Sequence, residues 1–328
     1  MKTFVKYPGG KTSELKIINK NKPEKIDRFF EPFVGGGSVF FNLEIKKSYI
    51  NDLSTDLISL YRFIKEKDFE FLSKLNKLNE TWKNITPNNY QELDLSFLSS
   101  QNLNLFFENV YEKEFKNRKL KNGNEQNPNY EEENLNVTAV KAAFYYTIRQ
   151  IYNTEKNNPI SNAISYYFMR EFCYSSMFRF STTGMFNVPY GGQSYNNKTF
   201  DSKIDLINSY DICNTKLYNE DFERFISRFK FKADDFVFVD PPYDSEFCNY
   251  DRINFDKNEQ KRLANLLSKL PAKIMIVIKN TDFIYNLYQE KGFNISFFDK
   301  KYNVNFLNRN IFFNETCCAS SIIFLYCF

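Results

Sequence analysis

The eight residues Phe236-Val237-Phe238-Val239-Asp240-Pro241-Pro242-Tyr243 constrain this chain more than any other stretch. Four β-branched or aromatic residues in a row predict a short buried strand. Two prolines then end it, because neither can donate a ladder hydrogen bond. A carboxylate, two rigid turns and an aromatic ring are thereby presented at the carboxyl end of a strand, where open α/β sheets bind their ligands. The tetrad suits the grip of a planar base that carries an exocyclic amine. Asp240 can accept one N–H, a proline carbonyl can accept the other, and Tyr243 can lie against the ring face.

At 328 residues, 42% hydrophobic and 18% aromatic, the chain can build one large α/β domain or two moderate ones. A net charge of +4 says little about nucleic acid. The scattered lysines of a chain rich in Lys, Asn, Ile, Tyr and Phe read as compositional bias rather than as a binding patch. Histidine is absent. This removes imidazole bases, His-activated nucleophiles and His-containing zinc sites, and no paired-carboxylate cluster suggests another metal. The six cysteines form no C-x-x-C pair, and Cys317 and Cys318 are adjacent, which predicts reduced thiols in a cytosolic protein. No charged-then-apolar leader opens the sequence and no 18-residue apolar run occurs. The expectation is a soluble, cytoplasmic protein without a membrane span.

Near the start, Tyr7-Pro8-Gly9-Gly10-Lys11 is a tight loop, with Thr12 or Ser13 placed to cap a helix at about 14–19. It reads as an ordinary turn or as an anion site in which Lys11 adds charge. Then Phe33-Val34-Gly35-Gly36-Gly37-Ser38 joins a strand to a helix through glycines that let a backbone approach a ligand. A second strand, 48–51, ends at Asp52, an acid spaced to meet a ribose hydroxyl pair. Loop, helix, strand and acid together point to a nucleoside-type ligand, and the lack of a G-x-x-x-x-G-K-[ST] run favours one without a pyrophosphate. Residues 56–64 have helical spacing that continues into 69–78, residues 96–115 read as helical again, and 137–151 resume a helix. The Lys-, Asn- and Glu-rich run 116–136 reads as a surface insertion without an apolar period.

Between 166 and 192, Arg170, Tyr174, Phe178, Arg179 and Phe180 interleave basic and aromatic groups before Gly184-Met185-Phe186-Asn187-Val188-Pro189-Tyr190-Gly191-Gly192. This is core plus solvated charge, or a DNA-reading loop, with Arg for guanine or phosphate, Asn for adenine and apolar wedges for a vacated base space. Asp221 follows a short strand at 215–219, where it caps the helix 222–229 or reaches a bound adenine amine. Further strands are predicted at 274–278, 294–298 and 320–325, with helices at 257–270 and 283–290, the latter capped by Asn280-Thr281-Asp282.

Taken together, the 4–11 motif, the run from Glu31 to Phe40, Ile50-Asn51-Asp52 with Asp56-Leu57-Ile58, residues 184–191 and Asp240-Pro241-Pro242-Tyr243 resemble the Dam-type, or D12, DNA adenine N6-methyltransferases over most of the chain. The resemblance implies an α/β, Rossmann-like S-adenosylmethionine-dependent methyltransferase sheet with an inserted, mainly helical target-recognition domain. The catalytic domain would be 1–61 and 201–328, and the recognition domain 62–200. Tyr7, Lys11, Asp52 and Asp240 would line the S-adenosylmethionine site, with Phe33, Gly35, Gly37 and Asp221 beside them. The family often has Trp where this chain has Tyr7. The catalytic corner would be Asp240, Pro241, Pro242 and Tyr243, and the contacts to double-stranded DNA would be Arg179, Asn187 and Tyr190. A cognate restriction endonuclease is the implied functional partner. The rival readings are an RNA amino-methyltransferase and a non-catalytic DNA-binding module; the latter would need neither Asp240 nor the glycine loop. Relatives that act on cytosine more often show Ser in place of the leading Asp, and those that act on protein glutamine show Asn.

Overall fold

A computed structural model describes residues 3–122, 132–242, 255–300 and 320–327. Seven strands form one sheet: β1 (Arg28–Glu31), β2 (Ser48–Asn51), β3 (Lys216–Tyr218), β4 (Asp235–Val239), β5 (Lys273–Lys279), β6 (Asn294–Lys300) and β7 (Ser320–Cys327). Their spatial order is β3-β2-β1-β4-β5-β7-β6. The first five in that order are parallel, and β7 pairs antiparallel with both neighbours. The arrangement is the Rossmann-like methyltransferase sheet that the resemblance implies.

The sheet is covered on both sides, as parallel sheets require. Phe236 and Phe238 of β4 face one apolar cluster with Phe29, Met275 and Val277, while Val237 and Val239 face a second with Phe30, Ile274, Ile276 and Ile278. The second side is closed by α9 (Phe222–Ser227), α10 (Lys257–Leu267) and α11 (Asp282–Glu290). Thr281 caps α11 by accepting from the Ile284 N–H at 3.2 Å, as its sequence predicts.

Between β2 and β3 the chain makes α3 (Thr55–Glu66), α4 (Phe69–Asn84), α5 (Asn104–Asn122), α6 (Glu132–Thr154), α7 (Pro159–Phe172) and α8 (Asp201–Ser209); before them come α1 (Leu15–Asn21) and α2 (Ser38–Leu43). Trp82 of α4 centres this helical layer, with the rings of Phe144, Phe168, Phe172 and Tyr190 around it. Among the described residues no helix is long and apolar enough to cross a membrane.

Several expectations are corrected. α1 starts at Leu15 with Glu14 at its cap position and no side-chain cap bond, so neither Thr12 nor Ser13 caps it; the Ser13 hydroxyl instead meets Glu14 Oε2 at 2.8 Å. Residues 56–78 are not one continuous helix. Lys67 adopts a left-handed conformation (φ +48°) that ends α3, and Asp68 caps α4 by accepting from the Phe71 N–H at 2.7 Å. The helix predicted at 96–115 begins only at Asn104, because Asp94 and Asn102 accept the N–H two residues on, at 2.9 and 3.1 Å, and hold turns there. Of the insertion read at 116–136, residues 123–131 lie outside the described residues. Its described parts are helical, since α5 runs through 116–122 and α6 opens at 132. Spaced pairs such as Arg118–Glu114 (2.9 Å, i,i+4) support this helix in place of an apolar period.

The helical layer is fastened to the start of the chain through α7. The Tyr167 hydroxyl donates to the Phe4 carbonyl at 2.7 Å. Glu171, fully buried, accepts the Lys6 N–H at 2.9 Å, Lys198 Nζ at 2.9 Å and Lys203 Nζ at 2.5 Å. Burial pushes the Glu171 carboxyl up, but the charges of Lys203 and Lys198 outweigh it and hold it below the usual carboxylate range. Lys203 is itself held below the usual lysine range by burial, which outweighs the pull of Glu171.

A depressed folded-state value means that Glu171 contributes stability above its unfolded pKa of about 4.3 and loses it as the pH falls through the folded value. Glu171→Gln should therefore lower stability at pH 7 by about 1.5–3 kcal/mol, the range for hydrogen bonds to charged groups. Urea unfolding curves for variant and wild type should converge on acidification below about pH 4. A gap of constant size from pH 7 down to pH 3 would show that the carboxylate charge is not what holds the segment.

Candidate active site

The sheet order reverses between β1 and β4. The chain moves outward to β2 and β3 on one side and to β5 on the other, and the carboxyl ends that meet at such a switch point frame a crevice. Phe30 is registered on Val237, so Glu31, at the end of β1, and Asp240, just past β4, stand at neighbouring strand ends. Asp52 follows β2 on the next strand over.

Lys11 is turned inward to this corner and is 1% exposed. Its Nζ lies 2.5 Å from Asp240 Oδ2 and 2.8 Å from the Gly9 carbonyl, and its own N–H donates to Ser38 Oγ at 2.9 Å. Lys11 and Asp240 thus form a largely buried ion pair at the end of this loop. Asp52 accepts the Gly35 N–H at 3.0 Å on one oxygen and the Ser54 N–H at 2.9 Å on the other. One carboxylate thus holds the glycine loop against the start of α3.

Glu31 is the group that the sequence reading passed over. It is buried, accepts a backbone hydrogen bond from Phe40, and its Oε2 has no hydrogen-bond partner among the described residues. Burial first, and then the charge of Asp240, push its carboxyl well above the usual range; Lys11 acts the other way. Its position directly before the glycine loop, at a strand end, was the signal available.

The glycines are required by their neighbours. Gly35 has φ +48°, and a Cβ there would come within 3.1 Å of the Tyr7 ring; at Gly37, φ +70°, it would come within 2.4 Å of the Tyr61 hydroxyl. That hydroxyl donates to the Gly35 carbonyl at 3.1 Å. Tyr7 therefore lies on the glycine loop. Phe33 packs between Phe222 and Phe255 at 5.5 and 5.6 Å. Asp221 caps α9 through the Glu223 N–H at 2.9 Å, and its other oxygen meets Arg262 Nη2 at 2.5 Å. The Pro242 carbonyl accepts from the buried Gln260 side chain at 3.1 Å. Tyr243 lies outside the described residues.

The predicted DNA-contact residues separate. Arg179 and Asn187 are exposed neighbours across a hairpin closed by the Phe180–Phe186 bridge, and Arg179 Nε donates to Asn187 Oδ1 at 3.3 Å. Tyr174 and Met185 are exposed apolar groups in the same segment. α6 positions the hairpin from below. Asn153 both accepts the Phe186 N–H and donates to its carbonyl, at 2.9 and 3.1 Å, while Tyr145 and Arg149 donate to the Val188 carbonyl at 3.0 and 3.2 Å. Tyr190 corrects the prediction. It is 5% exposed, its ring packs on Trp82 and Tyr145, and its hydroxyl donates to Asn196 Oδ1 at 3.1 Å, so it is a core residue beneath the loop. Arg170 is likewise buried and faces the interior, unlike the exposed Arg179.

Residues 7–304 match the model of the D12 class N6 adenine-specific DNA methyltransferases. The chain is 29% identical over 315 residues to the type II methyltransferase M.MjaIII of Methanocaldococcus jannaschii, covering 90% of both chains. It is 28% identical over 306 residues to the type II methyltransferase M.CviBI of a Paramecium bursaria Chlorella virus, covering 92% of this chain and 91% of that one. It is 24% identical over 290 residues to the DNA adenine methylase of Escherichia coli, covering 86% and 81%.

Gly37→Ala should destabilise the protein by roughly 2–5 kcal/mol, combining roughly 1–2 for a left-handed alanine with roughly 1–3 for overpacking against Tyr61 and Phe41. Equilibrium unfolding in urea measures this. A loss under about 1 kcal/mol would mean that the loop relaxes freely and that the glycine is dispensable.

Proposed function

The chain belongs to the D12 class of N6 adenine-specific DNA methyltransferases, and on that premise we propose that the switch-point crevice holds S-adenosylmethionine beside an adenine extruded from duplex DNA. The observation that carries this reading is the convergence of Glu31, Asp52, Asp240 and Lys11 on one corner, with Tyr7 lying on the glycine loop next to it. The residues present suit a cofactor that carries a cationic amino group and a sulfonium. Glu31 offers a buried oxygen with no partner among the described residues, and the loop is bare where a side chain would intrude. Tyr7, Lys11, Glu31, Phe33, Gly35, Gly37, Asp52 and Asp240 would hold it, with Asp221 at the margin. When bound, this cofactor supplies an electrophilic methyl group on a neutral leaving group.

The chain's own residues do the rest. Asp240 accepts one hydrogen of the adenine amine. The Pro241 carbonyl accepts the other, while the Pro242 carbonyl accepts from the Gln260 side chain. Together they turn lone-pair density on N6 toward the methyl and stabilise the positive charge that builds there. Fixing that geometry supplies up to about 7–11 kcal/mol, more than a strong base would add to so poor a nucleophile. Asp240 or water then takes the proton. Tyr243 stacks on the extruded base, worth about 1–3 kcal/mol by analogy with other base–aromatic contacts.

The helical segment 62–200 is the target-recognition part on this reading, and the flanking segments are the catalytic part. Arg179 and Asn187 contact DNA, and the exposed Tyr174 and Met185 are of the apolar type that fills a vacated stack. That two relatives bear the name of type II methyltransferases supports a role in marking a site that a cognate restriction endonuclease also recognises.

Tritiated methyl transfer from S-adenosylmethionine to duplex DNA, followed by nucleoside analysis, tests the reading. Label should appear in N6-methyladenine. Label in cytosine or in RNA instead, or no transfer at all, would overturn it. Asp240→Ala should lower kcat by about 10²–10³ or more, the scale set by removing one transition-state contact, while the thermal unfolding transition persists. Wild-type turnover in that variant would remove Asp240 from the mechanism.

A further inference from the structure

Arg170 lies in the last turn of α7 and is 1% exposed, yet its guanidinium cannot give up its charge at any working pH. Three rings from three separate segments surround it. It lies 4.5 Å from the centroid of Tyr7, 3.8 Å from that of Phe178 and 5.1 Å from that of Tyr166, and its Nε donates to the Tyr166 hydroxyl at 3.0 Å. An alkyl side chain would fill such a space without the cost of burying a cation, which several kcal/mol of ring and hydrogen-bond contact must offset.

The two outer rings belong to different halves of the proposed reaction. Tyr7 lies on Gly35 and Gly36 of the cofactor-side loop. Phe178 packs on Phe186 at 4.4 Å, and these two residues directly precede Arg179 and Asn187 in the hairpin proposed to contact DNA. Tyr167 and Glu171, on either side of Arg170, tie down Phe4 and Lys6, so the segment that carries Tyr7 is fixed to the same helix turn. A planar cation held against both rings cannot follow a rotation of one without changing its contact with the other.

We propose that Arg170 is a positioning residue that links the cofactor-side loop to the DNA-side hairpin, so that cofactor and duplex bind interdependently; the inference rests on the functional reading above. Linkage makes the effect reciprocal: whatever factor the duplex adds to cofactor affinity, the cofactor adds to duplex affinity.

The test is the affinity of the full chain for S-adenosylhomocysteine, a non-reactive probe, with and without a saturating duplex that the wild type methylates. In the wild type the duplex should tighten binding by about 5–150-fold, the usual range of coupling. In Arg170→Met that factor should fall to within about twofold of one, and Arg170→Lys, which keeps the charge but loses the plane, should not restore it. Should Arg170→Met fail to fold, Phe178→Leu removes the ring on the hairpin side and should lower the factor in the same way. A merely structural arginine would weaken the probe equally in both conditions and leave the factor at its wild-type value, which would overturn the proposal. A wild-type factor of one would overturn it too, with the functional reading intact. Absence of any probe or duplex binding by the wild type would instead bring down the functional reading and this inference with it.

Discussion

Three carboxylates at the ends of three adjacent parallel strands set the terms for the rest of the molecule. Glu31, Asp52 and Asp240 share one corner, and like charges so close oppose folding unless each is answered. The structure answers them in three ways. Lys11 pairs with Asp240, two backbone N–H groups bind Asp52, and Glu31 is driven by burial toward holding its proton. The first and last of these are coupled, because Lys11 and Asp240 act on Glu31 with opposite signs. A lysine from the opening loop thus sets the electrostatics of a corner whose acid lies 229 positions later. Nothing local to either segment would hold them there; the parallel sheet does so by bringing β1 and β4 side by side.

The helical layer solves a different problem, that of holding polar, exposed side chains in a fixed place. Residues 186–188 are satisfied from below by Tyr145, Arg149 and Asn153, which recur every four positions along α6 and so share one face of it. With their backbone groups bonded inward, the alternate residue Asn187 must point out. The same layer reaches back to the sheet through α7, whose last turn holds the segment around Lys6 and Tyr7.

What could be read from the sequence follows from which forces were local. Strands β4 and β5 were legible because both faces are buried, which leaves continuous apolar runs, and the two prolines marked where β4 had to stop. The cap at Thr281 was legible because a cap depends on residues two or three places away; for Asp221 the structure shows the cap that the sequence left as one of two readings. Tyr190 misled because a tyrosine between Pro189 and Gly191 looks like an exposed loop residue; its burial depends on Trp82, far away on another helix. Arg170 read as a surface cation for the same reason, since nothing in its neighbourhood along the chain announces that Tyr7 will close over it. The residues 116–122 lacked an apolar period, and their helix comes from spaced ion pairs and from packing against α6. Glu31 was visible but uninterpretable, because an acid at a strand end gains meaning only when its neighbours are known to be Asp240 and Lys11.

The absence of histidine fits this architecture. On the proposed mechanism a conjugated amine meeting a good methyl donor is limited by alignment, which the double-proline corner would supply. Asp240 is held by Lys11 on one side, and the corner is held at the Pro242 carbonyl by Gln260, a fully buried side chain on α10. Conformational entropy lost there was lost when the protein folded, so on the proposed mechanism binding energy need not be used to fix the acceptors. A mobile base would have to be ordered in each turnover. On the proposed mechanism Asp240 and the corner carbonyls fill the place that an imidazole would take.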